Sequence, residues 1–262
     1  MKKFLLGSVT VAAVLVLAAC GRKDTTKYLV MGTNAEFPPF ETRGGEGGAE
    51  VVGFDVEVAR AIAAKAGLPL KIEDMKFDSL LPALAAGKVD LVLAGMTITE
   101  ERRQNVDFSI PYYKATQVVL IRKGDPVPQA KEELKGRKIA VQLGTTGDGV
   151  AAEITGQENV RQFTSAMDAV VELMNSKVDA VIIDEQPALN FAKINPELEL
   201  VRLAFDDEFY GIAVRRGNAE LLAKINETLG EISADGRYDQ FVNQWMVQMV
   251  DIRADEAPDA AE

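Results

Sequence analysis

Histidine is absent from this 262-residue sequence, and cysteine occurs once, at Cys20. Histidine triads and dyads, histidine and cysteine-rich metal sites and any intramolecular disulfide are therefore excluded. No Gly-x4-Gly-Lys-Ser/Thr phosphate loop occurs, and the Gly-Thr-Thr-Gly at 144–147 is too short for a dinucleotide fingerprint. What remains is the chemistry of arginine, lysine, carboxylates and threonine, a set that leans toward binding. Two placements stand out. Arg102 follows Thr97-Ile-Thr-Glu-Glu, and its planar fork suits a desolvated carboxylate. By position alone the leading reading is a surface arginine pairing with Glu100 or Glu101 in a first helical turn. Asp184 ends the apolar run Ala180-Val-Ile-Ile, where a carboxylate is either solvated or, if buried, in need of a cation. The net charge of −11 argues against nucleic acid, which is gripped by basic patches.

The elements that must position these groups alternate between strand and helix. Tyr28–Gly32 reads as a strand, Gly53–Ala66 as a helix with Phe54, Val58, Ala61 and Ile62 on one face, and Leu70–Met75 as a strand. Ser79–Ala86 reads as a short helix and Val89–Ala94 as an apolar strand, while the glycine-rich 43–48 reads as a mobile hairpin turn. This alternation predicts an α/β fold with mainly parallel sheets. A weak repeat supports two lobes: Ser79–Met96 resembles Asp168–Glu185 at an offset of 89 residues, each reading helix, Lys-Val-Asp, then strand. The strands end at Gly95 and Asp184 respectively. Since ligands in open α/β sheets sit beyond the carboxyl ends of strands, two such lobes would face each other across a cleft.

The first twenty residues are of another character. Lys2 and Lys3 precede an uncharged, largely apolar run, Phe4–Ala19, that ends in Leu17-Ala-Ala-Cys20. The layout is that of a secretory signal, short for a membrane-spanning helix. Its end resembles a bacterial lipobox, which implies cleavage before Cys20 and lipid attachment to its sulfur. Residues 1–19 are thus expected to be a signal peptide, 20–26 a tether, and the acidic 252–262 a disordered tail.

Four segments carry a more specific resemblance: Thr33-Asn-Ala-Glu-Phe-Pro-Pro-Phe-Glu-Thr42, Val52–Leu68, Gly95–Lys114 and Val141–Gly149. Together they resemble the extracellular solute-binding proteins of polar amino-acid ABC transporters, over about Lys27–Asp251. The resemblance implies a type II periplasmic-binding-protein fold, two sheet-and-helix lobes joined by two crossing strands. The crossings are expected near Val118–Arg122 and Gly211–Arg215. Lobe 1 would then comprise 27–120 and 214–251, and lobe 2 would comprise 121–213. Ligand would bind in the cleft, with hinge closure.

Transferred residue by residue, the resemblance assigns Arg102 to the ligand carboxylate, with Thr97, Thr145 and Thr146 alongside. Backbone amides at a helix start after Thr145 would favour an anion, and N-capping there would be compatible with binding. Asp184 would take the ammonium, with the Gly95 carbonyl and the neighbouring Met96 in the same turn. Phe37 and Phe77 would sandwich the side chain. At Asn34, relatives for cationic or amide ligands often carry aspartate; an amide brings no charge, and Glu36 or Asp78 could compensate. A polar L-amino acid, glutamine or a basic one, is the expected ligand. No metal, cofactor or catalytic residue is expected. The expected partners are permease subunits and a membrane reached through Cys20, with the chain a monomer facing the periplasm or exterior. The alternatives are a cyclohexadienyl dehydratase using the same cleft, disfavoured by an aspartate at 184 where that branch carries glutamate, and a sensor lobe, disfavoured because no transmembrane or kinase segment follows.

Overall fold

A computed structural model describes residues 27–247. The expected signal segment, the Cys20 tether and the 252–262 tail lie outside them. Strands β1 (Leu29–Thr33), β2 (Glu36–Phe37), β3 (Glu41–Gly44) and β4 (Glu50–Val52) precede helix α1 (Phe54–Ala66). Then come β5 (Leu70–Asp74), α2 (Leu80–Ala85), β6 (Leu91–Val92), α3 (Glu100–Arg103) and β7 (Val106–Phe108). The long β8 (Tyr113–Arg122) leads to β9 (Ile139–Gln142), α4 (Thr146–Thr155), β10 (Val160–Phe163), α5 (Ala166–Met174), β11 (Ala180–Asp184), α6 (Glu185–Ile194) and β12 (Leu198–Val201). The described chain closes with β13 (Asp207–Tyr210), β14 (Ala213–Arg215), α7 (Ala219–Ala234) and α8 (Arg237–Val242).

Two main sheets result, and their orders correspond. The first runs β5-β1-β6-β14-β7 and the second β10-β9-β11-β8-β12. In each, a parallel pair (β1 with β6, β9 with β11) is followed by an antiparallel neighbour (β14, β8). The two repeat units, α2-β6 and α5-β11, therefore occupy equivalent places. The β6 ladder is shorter than the expected strand at 89–94, covering Leu91–Val92. Residues 43–48 do form a hairpin: β3 and β4 pair antiparallel, Arg43 opposite Val51, around a turn at 46–48.

The fold is thus α/β with two lobes, as the alternation and repeat predicted, but the sheets are mixed and not mainly parallel, because β14 and β7 in the first and β8 and β12 in the second add antiparallel neighbours. The sheets are joined by the first half of β8 and by β13, which pair antiparallel from Tyr113 opposite Tyr210 to Thr116 opposite Asp207. This corrects the expected crossings. Val118–Arg122 already lies inside the second sheet, flanked by β11 and β12, and Ala213–Arg215 lies inside the first, between β6 and β7. The physical reason is burial. A strand paired on both sides becomes continuously apolar, as Val118, Val119, Leu120 and Ile121 are, all fully buried. The crossing portion runs between sheets and keeps polar residues.

Packing fixes the junction. Phe40, Phe54, Tyr112, Tyr113, Tyr210 and Tyr238 form an aromatic cluster, with Phe40 edge-on to Tyr113 at 4.9 Å and to Tyr210 at 5.2 Å. Such contacts contribute about 0.5–1.5 kcal/mol each beyond area burial. The start of α1 is pressed against β3: a Cβ at Gly53 would fall 2.1 Å from the Phe40 carbonyl oxygen, at a φ of +144° that favours glycine. The Asp55 amide donates to that same carbonyl at 3.0 Å. On its outer face α1 meets α7 through Lys65, which pairs with Glu227 and Glu231.

Candidate ligand-binding site

The narrow cavity between the lobes is lined by Asn34, Phe37, Glu41, Phe77, Ala94, Gly95, Thr97, Arg102, Gln142, Thr145, Thr146 and Asp184. Both sheets contribute, so the cavity exists only where the lobes meet. A larger open groove adjoins it, sharing Thr97, Arg102, Thr145 and Thr146 but floored by exposed charges; the convergent buried polar groups sit in the smaller one.

Arg102 lies on the short α3, whose N-cap Thr99 accepts from the Arg102 amide at 3.1 Å. Its guanidinium bridges the lobes. Nη1 donates to the Thr97 carbonyl at 2.6 Å and Nη2 to the Gly144 carbonyl at 3.0 Å. The group also stacks over the Phe77 ring, 5.4 Å from its centroid. Of five N–H donors, two are held by backbone, which fixes the plane and leaves the others for an anion. Burial lowers the guanidinium pKa, while Glu208 and Asp184 hold it up, so it stays cationic. Arg103 instead pairs with Glu100 on the surface.

Asp184 ends β11 at the N-cap position of α6 without a side-chain capping bond, and only 7% of it is exposed. Gln117 Nε2 donates to it at 3.2 Å. Burial first, then repulsion from Glu208, raise its pKa to about 7, with Tyr210 and Gln117 pulling the other way. It is a carboxylate in want of a cation.

The two threonines at the start of α4 divide their work. Thr145 is the N-cap, accepting from Asp148 N–H at 3.3 Å while donating to the Gln142 carbonyl at 2.8 Å. Thr146 donates instead to Glu208 Oε2 at 2.8 Å, as Thr97 does at 2.5 Å. Glu208, on β13, thus gathers one hydroxyl from each lobe, and Gln117 Nε2 adds a third donor at 3.2 Å. Gly95 takes a left-handed φ of +52°, and a Cβ there would strike Phe37 Cε1 at 2.7 Å; only glycine lets the ring close over this turn. Phe37 and Phe77 both face the cavity.

Met96 does not. Its side chain is fully buried in the core of the first sheet, beside Leu80, Val92 and Phe108, because alternation turns it away from the face that Gly95 and Thr97 share. Glu36 is not in the cavity lining: it is half-buried and its Oε1 pairs with Lys76 at 3.0 Å, and Asp78 is exposed.

Sequence reasoning passed over Glu41 and Gln142. Gln142 Nε2 donates to Asn34 Oδ1 at 2.8 Å, joining the lobes on a second line. Glu41 is fully buried at the cavity wall, and neither of its carboxylate oxygens meets a donor. Burial, and then Asp55, raise its pKa well above the usual range. The available signal was its place in Phe37-Pro-Pro-Phe-Glu41, where a carboxylate closes a segment that otherwise builds the pocket.

Two lobes meeting at a cavity lined by a guanidinium, a buried carboxylate and two aromatic rings have the layout of a small-molecule binding protein. The chain belongs to the bacterial extracellular solute-binding proteins, family 3, whose model matches residues 29–248. A probable histidine-binding protein of Neisseria gonorrhoeae is 35% identical, covering 95% of this chain and 97% of that one. A solved structure of an ancestral arginine-binding protein bound to arginine is 43% identical, with a TM-score of 0.79, covering 83% of this chain and 97% of that one. One bound to glutamine is 45% identical, with a TM-score of 0.76 and the same coverages.

Proposed function

We propose that this chain captures a free L-amino acid with a cationic side chain, arginine foremost, and delivers it in the closed form to the permease of an ABC importer. The observation that carries the ligand class is Glu41: a buried carboxylate at the cavity wall with both oxygens unpartnered. Leaving such a group unpaired is costly, and a guanidinium supplies both a charge and parallel donors. Asn34 and Gln142, beside it in the cavity lining, add neutral acceptors. Arg102 takes the ligand carboxylate together with the start of α4, and Asp184 takes the ammonium.

This reading narrows the sequence expectation of glutamine or a basic ligand. Charge was missing at Asn34, and Glu41 on β3 supplies it when a ligand cation offsets the burial that otherwise favours its protonated form. The named ligands of the similar proteins, histidine, arginine and glutamine, bracket the same choice. Delivery from a membrane-tethered position through a lipid on Cys20 is part of the proposal, supported by the Leu-Ala-Ala-Cys sequence.

The test is a thermal-shift panel on residues 21–262, unfolded and refolded to remove carried ligand, against the twenty amino acids, ornithine and citrulline. A ligand at a hundred times its Kd stabilises by about 2.7 kcal/mol. Arginine should give the largest shift, with lysine or histidine next. A shift for glutamine alone would move the assignment to a neutral amide.

A further inference from the structure

Glu208 sits behind the cavity wall. With Gln117 it lines the open groove on the far side of Thr97 and Thr146, and of these four residues the two threonines alone also line the cavity. A threonine hydroxyl has a single proton to donate. Both protons go to Glu208 Oε2, across 2.5 Å from Thr97 and 2.8 Å from Thr146.

The two partners belong to different lobes. Thr97 is fixed beside the strand that carries Glu208: it bridges Tyr210, and the Ile98 amide donates to the Phe209 carbonyl at 2.8 Å. Thr146 starts α4, and Gln117 pairs with Asp184 on β11, so both travel with the second lobe. Glu208 is thus anchored on one lobe and gathers Thr146 and, at 3.2 Å, Gln117 Nε2 from the other. The other two ties across the cleft, Arg102 to Gly144 and Gln142 to Asn34, come from side chains of the cavity itself.

We propose that Glu208 is a positioning residue for ligand capture: a latch, formed only when the lobes meet, that holds Thr146 against Thr97 from outside the cavity and slows release of the ligand within. The inference rests on the reading of the cleft as an amino-acid site that closes around its ligand. While Glu208 holds both hydroxyl protons, the ligand carboxylate is left to the free donors of Arg102 and the first amides of α4, so latch and ligand do not compete. Hydrogen bonds to a carboxylate are among the strong ones. Bonds made in the closed form and absent from the open one raise the closed population, with or without ligand.

Charge and latch can be separated. Glu208 also repels Asp184, so deleting its charge by itself strengthens the hold on an ammonium. Glu208→Ala and Glu208→Gln delete that charge equally. Glutamine keeps an oxygen for the two hydroxyls, and its added amide can be taken by Gln117 Oε1, which has no donor.

The experiment measures interlobe distance and ligand release on residues 21–262. Cys20 is the only cysteine, so Asn105→Cys and Glu132→Cys, exposed on opposite walls of the groove, take a pair of spin labels without background. Release is followed as loss of bound radiolabelled arginine into excess unlabelled arginine. Glu208→Ala should release arginine about tenfold faster, with an association rate changed less than about twofold. Its ligand-free distances should shift toward the wider population. Glu208→Gln should fall between the unaltered protein and Glu208→Ala. Thr146→Val should reproduce Glu208→Ala, and the two together should do no more than either alone; it serves if Glu208→Ala fails to fold. Equal effects of the alanine and glutamine variants, additive effects of Glu208→Ala and Thr146→Val, or slower release in Glu208→Ala would overturn the latch while leaving the arginine site in place. No binding of arginine by the unaltered protein overturns the ligand reading instead, and the ligand-free distances then still decide the latch.

Discussion

The two sheets repeat one order of strands, yet the equivalent strand ends do opposite things. In the first lobe the helix–strand unit finishes at Gly95, a residue with no side chain, whose backbone and close-packed Phe37 shape the cavity. In the second it finishes at Asp184, a buried carboxylate with a pKa raised to about 7. Shape comes from one copy and charge from the other. The first lobe instead carries its charges on appended elements, Arg102 on α3 and Glu41 on β3. The lesson is that a repeated scaffold can hold its strand ends constant in space while the residue at each end is chosen for the ligand group it meets.

Breaking the charged side of this comparison should have the largest effect. Arg102→Ala should remove ligand binding almost entirely, on the order of 3–5 kcal/mol, since one partner of a buried charge pair is lost. Calorimetry would show it, and circular dichroism should show the fold intact.

Asp184→Asn comes next. It should weaken amino acids by about 2–4 kcal/mol and leave their deaminated analogues nearly unchanged. Equal losses for both would sink the ammonium contact.

The shape side is milder. Gly95→Ala forces a Cβ against Phe37 at a left-handed φ and should cost about 1–2 kcal/mol of stability, measured by urea melts, with a parallel loss of affinity.

The smallest effect sharpens the asymmetry through pH. Asp184 and Asp55 have folded-state values raised to about 7 and about 6. A carboxyl raised above its unfolded value stabilises fully below that unfolded value and loses the contribution as pH rises through the folded one. The ligand-free protein should therefore melt lower at pH 8 than at pH 5. In Asp184→Asn the part of that fall near pH 7 should vanish.

Much of this arrangement was legible in the residues. The helix at α1 followed from its apolar face of Phe54, Val58, Ala61 and Ile62. Both helix–Lys-Val-Asp–strand units emerged where the repeat placed them, and Phe37, Phe77, Thr97, Arg102, Thr145, Thr146 and Asp184 do surround one cavity. What stayed hidden depends on tertiary pairing. The resemblance put the crossing near Val118–Arg122, but an apolar run marks a strand flanked on both sides, and the crossing is the more polar Tyr113–Thr116. Met96 sits between Gly95 and Thr97, and the motif does not say that its side chain turns to the core. Glu41 reads as a loop carboxylate until the Phe40–Asp55 contact shows it buried. Glu208 and Gln117 lie on the crossing strands, where nothing local marks a residue as facing the other lobe.

The central claim is that the cleft closes on an amino acid held by Arg102 and Asp184, with its cationic side chain at Glu41. The most direct measurement is a calorimetric titration of arginine into the refolded protein, with Arg102→Ala and Glu41→Gln alongside. The expected result is saturation at one ligand per chain, no measurable heat for Arg102→Ala, and affinity lowered at least about tenfold for Glu41→Gln. Unchanged binding in both variants, or no binding of any amino acid by the unaltered protein, would contradict it.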